Sequence, residues 1–215
     1  MNVESSIVFV VDDDPAMRVS LESLLRSVGH SVMLFESARD FQMAQRPDLP
    51  GCLVLDVRLP GQSGLEFQRE LGRTANPPPI VFITGHGDVP MSVAAMKAGA
   101  VEFLTKPFRD QDLLDGVHRA IELDRRRRAM AASLAELRER AATMTPRERE
   151  ILPLVAAGQM NKQIAQALQL SEVTVKVHRA QMMQKLRANS VADLVRIADR
   201  LVAAEPGTQA DDTRV

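Results

Sequence analysis

The chain has 215 residues, 27 Lys+Arg against 28 Asp+Glu and 45% hydrophobic residues, the balance of an ordinary globular protein, and its length suggests one large domain or two small ones. A single cysteine excludes an intrachain disulfide framework and any zinc site built on several thiolates. No apolar run approaches the roughly 18 to 20 residues needed to cross a bilayer, and no basic stretch precedes an apolar one, so neither a membrane span nor a signal peptide is expected and the expected location is the cytoplasm.

The net charge of −1 conceals a division of sign. Residues 1–122 hold 11 Lys+Arg and 17 Asp+Glu, net −6, whereas the remainder holds 16 and 11, net +5. An acidic half followed by a basic half points to a metal or phosphate function joined to an anion-binding one, with solvated charge as the alternative.

In chain order, Ile7–Val11, Ser31–Phe35, Cys52–Leu55, Ile80–Ile83 and Val101–Leu104 are short β-branched runs separated by amphipathic segments. That alternation predicts βα units and a parallel sheet. Asp14 and Pro15 supply an N-cap and a first-turn proline for a helix running to about Val28, which Gly29 can end. The third and fourth strands lack polar alternation, as expected where helices cover both faces of a sheet. The predicted fold is a doubly wound α/β domain with a five-stranded parallel sheet over residues 1–122, followed by a linker, in part helical, over 123–142. That linker opens with Arg125 to Arg128, read as a solvated face.

Four helices are predicted next, over residues 143–204. Thr145-Pro146-Arg147-Glu148 is a capping-box start, Gly158 can end that helix, Asn161 can cap a second over Lys162 to Leu168, Ser171 can cap a third to about Leu186, and Ser190 starts a fourth. Residues 205–215 are polar and are expected to be a disordered tail.

Asp12-Asp13, Asp56, Thr84 and Lys106-Pro107 fall at the predicted carboxyl ends of strands one, three, four and five, which converge on one crevice in an open parallel sheet. Carboxylates of Asp12, Asp13 and Asp56 would repel one another without a cation, and an all-oxygen set suits Mg²⁺ better than Zn²⁺. Lys106 and Thr84 add the ammonium and hydroxyl suited to hold a phosphoryl group. Asp14 is read as a cap rather than a ligand, and His86 either flanks the site or is a solvated loop residue.

In Val10-Val11-Asp12-Asp13-Asp14, Leu55-Asp56-Val57-Arg58-Leu59-Pro60-Gly61, Ile83-Thr84-Gly85 and Phe103-Leu104-Thr105-Lys106-Pro107-Phe108, residues 5 to 122 resemble the flavodoxin-like receiver domain of two-component response regulators. The resemblance implies that Asp56 accepts phosphoryl from a cognate sensor histidine kinase. It further implies that Asp13, Asp56 and the Arg58 carbonyl hold Mg²⁺ with Asp12 helping through water, that Thr84 and Lys106 contact the phosphoryl, that Phe103 is the switch aromatic, and that Lys106-Pro107 is cis. Phe103 stands where many relatives have Tyr, so no hydroxyl bond from that position can take part in the switch.

In the predicted third C-terminal helix, Val175, Met182 and Leu186 form an apolar stripe with His178 beside it. Lys176, Val177, Ala180 and Gln184 occupy the opposite face, flanked by Thr174 and Gln181. One acidic residue, Glu172, stands against Lys176, Arg179, Lys185 and Arg187 between 171 and 187. A short helix, a tight turn at Gln169-Leu170-Ser171 and a basic helix suit major-groove recognition.

Residues 143 to 203 resemble the LuxR-type helix-turn-helix in Thr145 to Glu150, Gly158, Asn161-Lys162-Gln163-Ile164-Ala165 and Val173 to Arg179. Together with the receiver motifs, this is similar to the NarL/FixJ class, and the wording Val177-His178-Arg179-Ala180 is nearer its FixJ branch. The resemblance implies promoter DNA and RNA polymerase as partners and a homodimer on phosphorylation. DNA contacts are expected from Lys162, Thr174, Lys176, Val177, Arg179, Ala180 and Gln181, with Ala180 departing from relatives that carry lysine. Chemistry limited to phosphoryl acceptance and slow loss to water is not metabolic catalysis. A Mg²⁺-dependent phosphohydrolase using an aspartyl-phosphate would need a second acid two residues after Asp56, where Arg58 lies. A partner-binding module without DNA would require the basic helix to be merely solvated.

Overall fold

A computed structural model describes residues 6–74 and 76–203. The tail expected to be disordered, 205–215, lies outside the described residues. The chain divides into two compact units meeting at Arg128 and Ala129.

The first unit alternates β1 (Ile7–Val11), α1 (Pro15–Ser27), β2 (Ser31–Phe35), α2 (Ala38–Met43), β3 (Gly51–Asp56), α3 (Gly64–Leu71), β4 (Ile80–Thr84), α4 (Val89–Lys97) and β5 (Glu102–Thr105), then enters α5 (Asp110–Ala142). The strands form one parallel sheet in the order β2-β1-β3-β4-β5. Every residue of β1, β3 and β4 is buried, which is why their sequences are continuous apolar runs.

Alternate side chains enter two separate cores. Ile7, Phe9 and Val11 pack with α2, α3 and α4, chiefly through Phe41 and Phe67. Val8 and Val10 pack with Leu21 and Leu25 of α1 and with Leu113, Val117 and Ile121 of α5. The scarce aromatics are concentrated in the first core, where Phe41 meets Phe9, Phe35 and Phe67 edge-on at centroid distances of 5.5, 5.4 and 5.8 Å, the arrangement that ring quadrupoles prefer. Asp14 caps α1 through Oδ1, which accepts from the Ala16 amide at 2.8 Å.

The segment expected to be a linker is the second half of α5, and the boundary falls inside that helix. The reason is polar. Buried Asp124 accepts the Gly51 amide at the start of β3 (3.0 Å) and the Arg128 Nε (2.7 Å), while Arg128 also pairs with Asp48. The arginine run is therefore only partly a solvated face. Arg126 and Arg127 are exposed, but Arg125 pairs with Glu122 and Arg128 ties the helix to Asp48 in the loop before β3.

The second unit comprises the end of α5 with α6 (Pro146–Ala156), α7 (Asn161–Leu168), α8 (Glu172–Leu186) and α9 (Val191–Ala203). Its core joins Leu137, Met144, Ile151, Val155, Ile164, Val175, Met182, Leu186 and Leu194. Thr145 and Glu148 form the expected capping box, and Ser171 caps α8 by accepting the Thr174 amide at 3.0 Å. Asn161 does not cap α7. The helix starts one residue earlier than expected, with Met160 in the cap position and its amide donating to Gln163 Oε1 at 2.8 Å. Gln169 ends the helix in the left-handed region at φ 54°.

Glu148 is fully buried, and its Oε2 accepts the Thr145 amide and the Lys185 ammonium of α8, both at 2.7 Å. Burial pushes this carboxyl up, but the bonds from Lys185 and Thr145 outweigh it and hold it below its ordinary 4.5. Ionised Glu148 therefore stabilises the fold above about pH 4.5, and that stability is lost as pH falls through the lowered folded value. Replacing it by Gln should cost about 2 kcal/mol at pH 7. The melting-temperature gap between wild type and Glu148→Gln should narrow progressively as the pH is lowered below 4.5, and a gap that does not change with pH would contradict the assignment.

Gly64 opens α3 directly against the end of β3. Its amide donates to the Val57 carbonyl at 2.8 Å, and a Cβ there would lie 2.4 Å from the Asp56 carbonyl oxygen. The obstacle is backbone, so relief requires moving β3 or α3. Gly64→Ala should destabilise by roughly 3 kcal/mol, measured by urea unfolding; a loss below a few tenths of a kcal/mol would mean that the loop yields freely.

Candidate functional site

The parallel sheet delivers β1, β3, β4 and β5 to one edge with their carboxyl ends together, so Asp12, Asp56, Thr84 and Lys106, far apart in sequence, become neighbours. Carboxylate oxygens of Asp12, Asp13 and Asp56 lie within 4.8 Å of one another. Asp12 and Asp56 are buried and Asp13 is exposed. Lys106 Nζ lies 2.7 Å from Asp12 Oδ2 and 2.7 Å from Asp56 Oδ2.

The remaining oxygens of the buried pair are held by the backbone. Asp12 Oδ1 accepts the Asp14 amide and Asp56 Oδ1 accepts the Arg58 amide, each at 2.9 Å. Burial pushes the Asp12 carboxyl up, opposed by its bonds to Lys106 and Asp14. Burial acts against the Lys106 ammonium as well, but its bonds to Asp12 and Asp56 outweigh it and raise its proton affinity. Three carboxylates against one ammonium, with Asp12 and Asp56 buried, leave an excess of acidic groups whose charge a divalent cation with oxygen ligands would offset. The donor set therefore fits a hard divalent metal.

Thr84 is fully buried, and its Oγ1 accepts the His86 amide at 3.3 Å. His86 itself is exposed. Lys106-Pro107 is cis. The Phe103 ring is half-buried, 6.1 Å from Phe82 by centroids, and a Cβ on Gly87 would lie 3.0 Å from its edge. Arg18 was not anticipated: from α1 its Nη1 donates to the Asp12 carbonyl at 2.6 Å. An arginine one turn into an amphipathic helix carries no sequence signal for such a contact.

In the second unit, α7 and α8 are joined by a turn of three residues, Gln169 to Ser171. Val175, Met182 and Leu186 are buried as expected. Lys162, Lys176, Val177, Ala180 and Gln181 are exposed. His178 is half-buried, with its Nδ1 enclosed and no partner among the described residues. Two of the expected DNA-contacting residues are already engaged. The Thr174 hydroxyl lies 2.7 Å from Ser171 Oγ. Arg179 Nη1 donates to Asn161 Oδ1 at 2.8 Å and to the Gln159 carbonyl at 3.5 Å, fixing α8 to the start of α7. Among the described residues no helix is long and apolar enough to cross a membrane.

Comparison with known proteins agrees with both halves. Residues 8–118 match the response regulator receiver domain, and residues 142–198 match the luxR family of bacterial regulatory proteins. Nodulation protein W of Bradyrhizobium diazoefficiens is 55% identical over 196 residues, covering 91% of this chain and 86% of the relative. Transcriptional regulatory protein FixJ of the same species is 43% identical over 193 residues, covering 90% and 94%. Of solved structures, response regulator StyR is 48% identical with a TM-score of 0.79 over 91% of this chain and 99% of its own. Full-length FixJ from B. japonicum is 42% identical with a TM-score of 0.55 over 92% and 97%. With an acidic pocket bridged by lysine at the edge of its parallel sheet and a helix-turn-helix after it, the chain belongs to the NarL/FixJ family of two-component response regulators, transcription regulators that join a receiver to a LuxR-type DNA-binding domain.

Proposed function

We propose that Asp56 accepts a phosphoryl group from the phosphohistidine of a cognate sensor kinase and that the aspartyl-phosphate promotes dimerisation and promoter binding. The observation that carries this reading is Lys106 Nζ placed 2.7 Å from both Asp12 and Asp56 beside a third carboxylate. Asp13, Asp56 and the Arg58 carbonyl would hold Mg²⁺, with Asp12 assisting through water; the bound ion supplies charge neutralisation for the approaching phosphoryl.

An oxygen of Asp56 forms the new O–P bond as the N–P bond to the kinase histidine breaks, so no redox step or further reactant is needed. Lys106 exchanges its bond to Asp56 for one to a phosphoryl oxygen, and the buried Thr84 hydroxyl donates to another. Those two groups then report the new charge to the loops after β4 and β5. Phe103 borders the same loops and can change rotamer without stranding a donor.

The dimer face is assigned to α4 and β5, where Val93 and Met96 are about 45% exposed and Lys97 and Val101–Leu104 adjoin them. The dimer would present two α8 helices to promoter DNA in the cytoplasm, with RNA polymerase as the machinery regulated. Lys176 and Val177 would enter the groove, with Thr174, Ala180 and Gln181 beside them. Lys162 and Arg179 would lie nearer the phosphates, Arg179 through the nitrogens not bound to Asn161.

Asp56→Asn should abolish labelling by acetyl phosphate in Mg²⁺, because the amide is a poor nucleophile and removes a ligand charge; full labelling would place the acceptor elsewhere. Sedimentation of the fully phosphorylated wild type should shift from monomer to dimer, and an unchanged coefficient would refute the dimer. Lys176→Ala should cost about 1–3 kcal/mol and relax sequence preference, whereas Lys162→Ala should weaken all duplexes alike and lower the salt slope by about one unit. These are read by titration of DNA at several salt concentrations, and identical behaviour of the two variants would overturn the assignment.

A further inference from the structure

The outward face of α8 is apolar at its centre, which is unusual for a helix surrounded by cations. Val173 and Val177 are 73% and 50% exposed, and neither belongs to the core of the second unit. At 3.6 residues per turn, Val173, Val177, Ala180 and Gln184 fall within about 60° of one another and lie opposite Val175, Met182 and Leu186. Val, Val and Ala therefore form a strip of methyl groups running from the first turn of α8 into its middle. Lys176 flanks this strip, and Lys162 is exposed at the start of α7.

No requirement of the fold accounts for the two valines. Exposed β-branched residues are poorer helix formers than the charged or long side chains that ordinarily occupy such positions. The hydroxyl of Thr174 is turned to the Ser171 cap and Glu172 lies to one side of the strip, so on the outward line of the first turn it is the apolar Val173 that is presented.

We infer that Val173, together with Val177 and Ala180, reads the 5-methyl groups of thymines in the major groove. The inference rests on the assignment of α8 as the groove-entering helix and adds what that helix recognises. In the major groove thymine alone of the four bases presents a methyl group, and apolar side chains are its natural partners. Helix N-terminal residues reach base edges in this type of docking, which places Val173, at the second residue of α8, where direct readout occurs. The small Ala180 keeps the strip flat, so the valines approach the bases without a long side chain holding them off. Lysine supplies affinity for phosphate and guanine whatever the neighbouring bases, whereas a methyl strip rewards particular A·T pairs.

The test uses the full-length phosphorylated protein and the tightest duplex recovered by selection from a randomised pool, with each thymine of a half-site replaced in turn by deoxyuridine, which lacks only the methyl. Loss of one buried methyl contact corresponds to about a fourfold loss of affinity. At least one such replacement should weaken wild type by about that factor and leave Val173→Ala unaffected, with a second position behaving likewise for Val177→Ala. Circular dichroism of the variants should match wild type, since both valines are exposed. The inference is overturned if the selected half-sites contain no thymine, if deoxyuridine is tolerated everywhere, or if Val173→Ala keeps the full deoxyuridine penalty. Failure of the underlying reading has a different signature, the absence of salt-dependent binding to any duplex.

Discussion

Everything in the first unit turns on one electrostatic problem: two buried carboxylates and a third exposed one meet at the carboxyl edge of a sheet, and the Lys106 ammonium bridges the buried two. Left unpaired, carboxylates in such a place would take up protons rather than remain charged. The structure counters this with the Lys106 bridge and with backbone amides of Asp14 and Arg58, which point at the outer oxygens. The result is a pocket in which charge is balanced closely enough to exist and incompletely enough to favour a cation. Burial of Asp12 and Thr84 removes competing water from the same place.

The rest of the unit holds that edge in register. Both cores press on the same three central strands, and the Phe41 cluster fills the side beneath α2 and α3. Gly64 lets α3 begin in contact with the Asp56 carbonyl, so the helix and the acidic residue cannot move independently. At the opposite end of β3, Asp124 of α5 holds the Gly51 amide. The strand that carries Asp56 is thus fastened at its start by the helix that continues into the second unit.

That second unit shows a related economy in polar contacts. Glu148 satisfies a cap and pairs with Lys185, joining α6 to α8. Arg179 joins α8 to the start of α7 through Asn161. Both bonds lie on the inner flanks of α8, so the face opposite its buried stripe, with Lys176 and the methyl strip, has no hydrogen bond or ion pair to another side chain among the described residues.

Local patterns, which need only neighbouring residues, were legible in the sequence. The five strands, the Asp14, Thr145 and Ser171 caps, the buried stripe of α8 and the placement of Asp12, Asp56, Thr84 and Lys106 at strand ends all follow from periodicity, cap chemistry and the convergence of parallel strands. The roles proposed for those residues came from the family motifs. What tertiary structure alone decided concerns long side chains that reach across elements: Arg18 to the Asp12 carbonyl, Asp124 to Gly51, Arg128 to Asp48, and Arg179 to Asn161, which took the residue expected as a cap. An arginine or aspartate on a helix surface has the same local pattern whether it is solvated or bonded across the fold. Its partner is set by how separate elements pack, here across 6 to 80 residues of sequence, and no spacing rule records that.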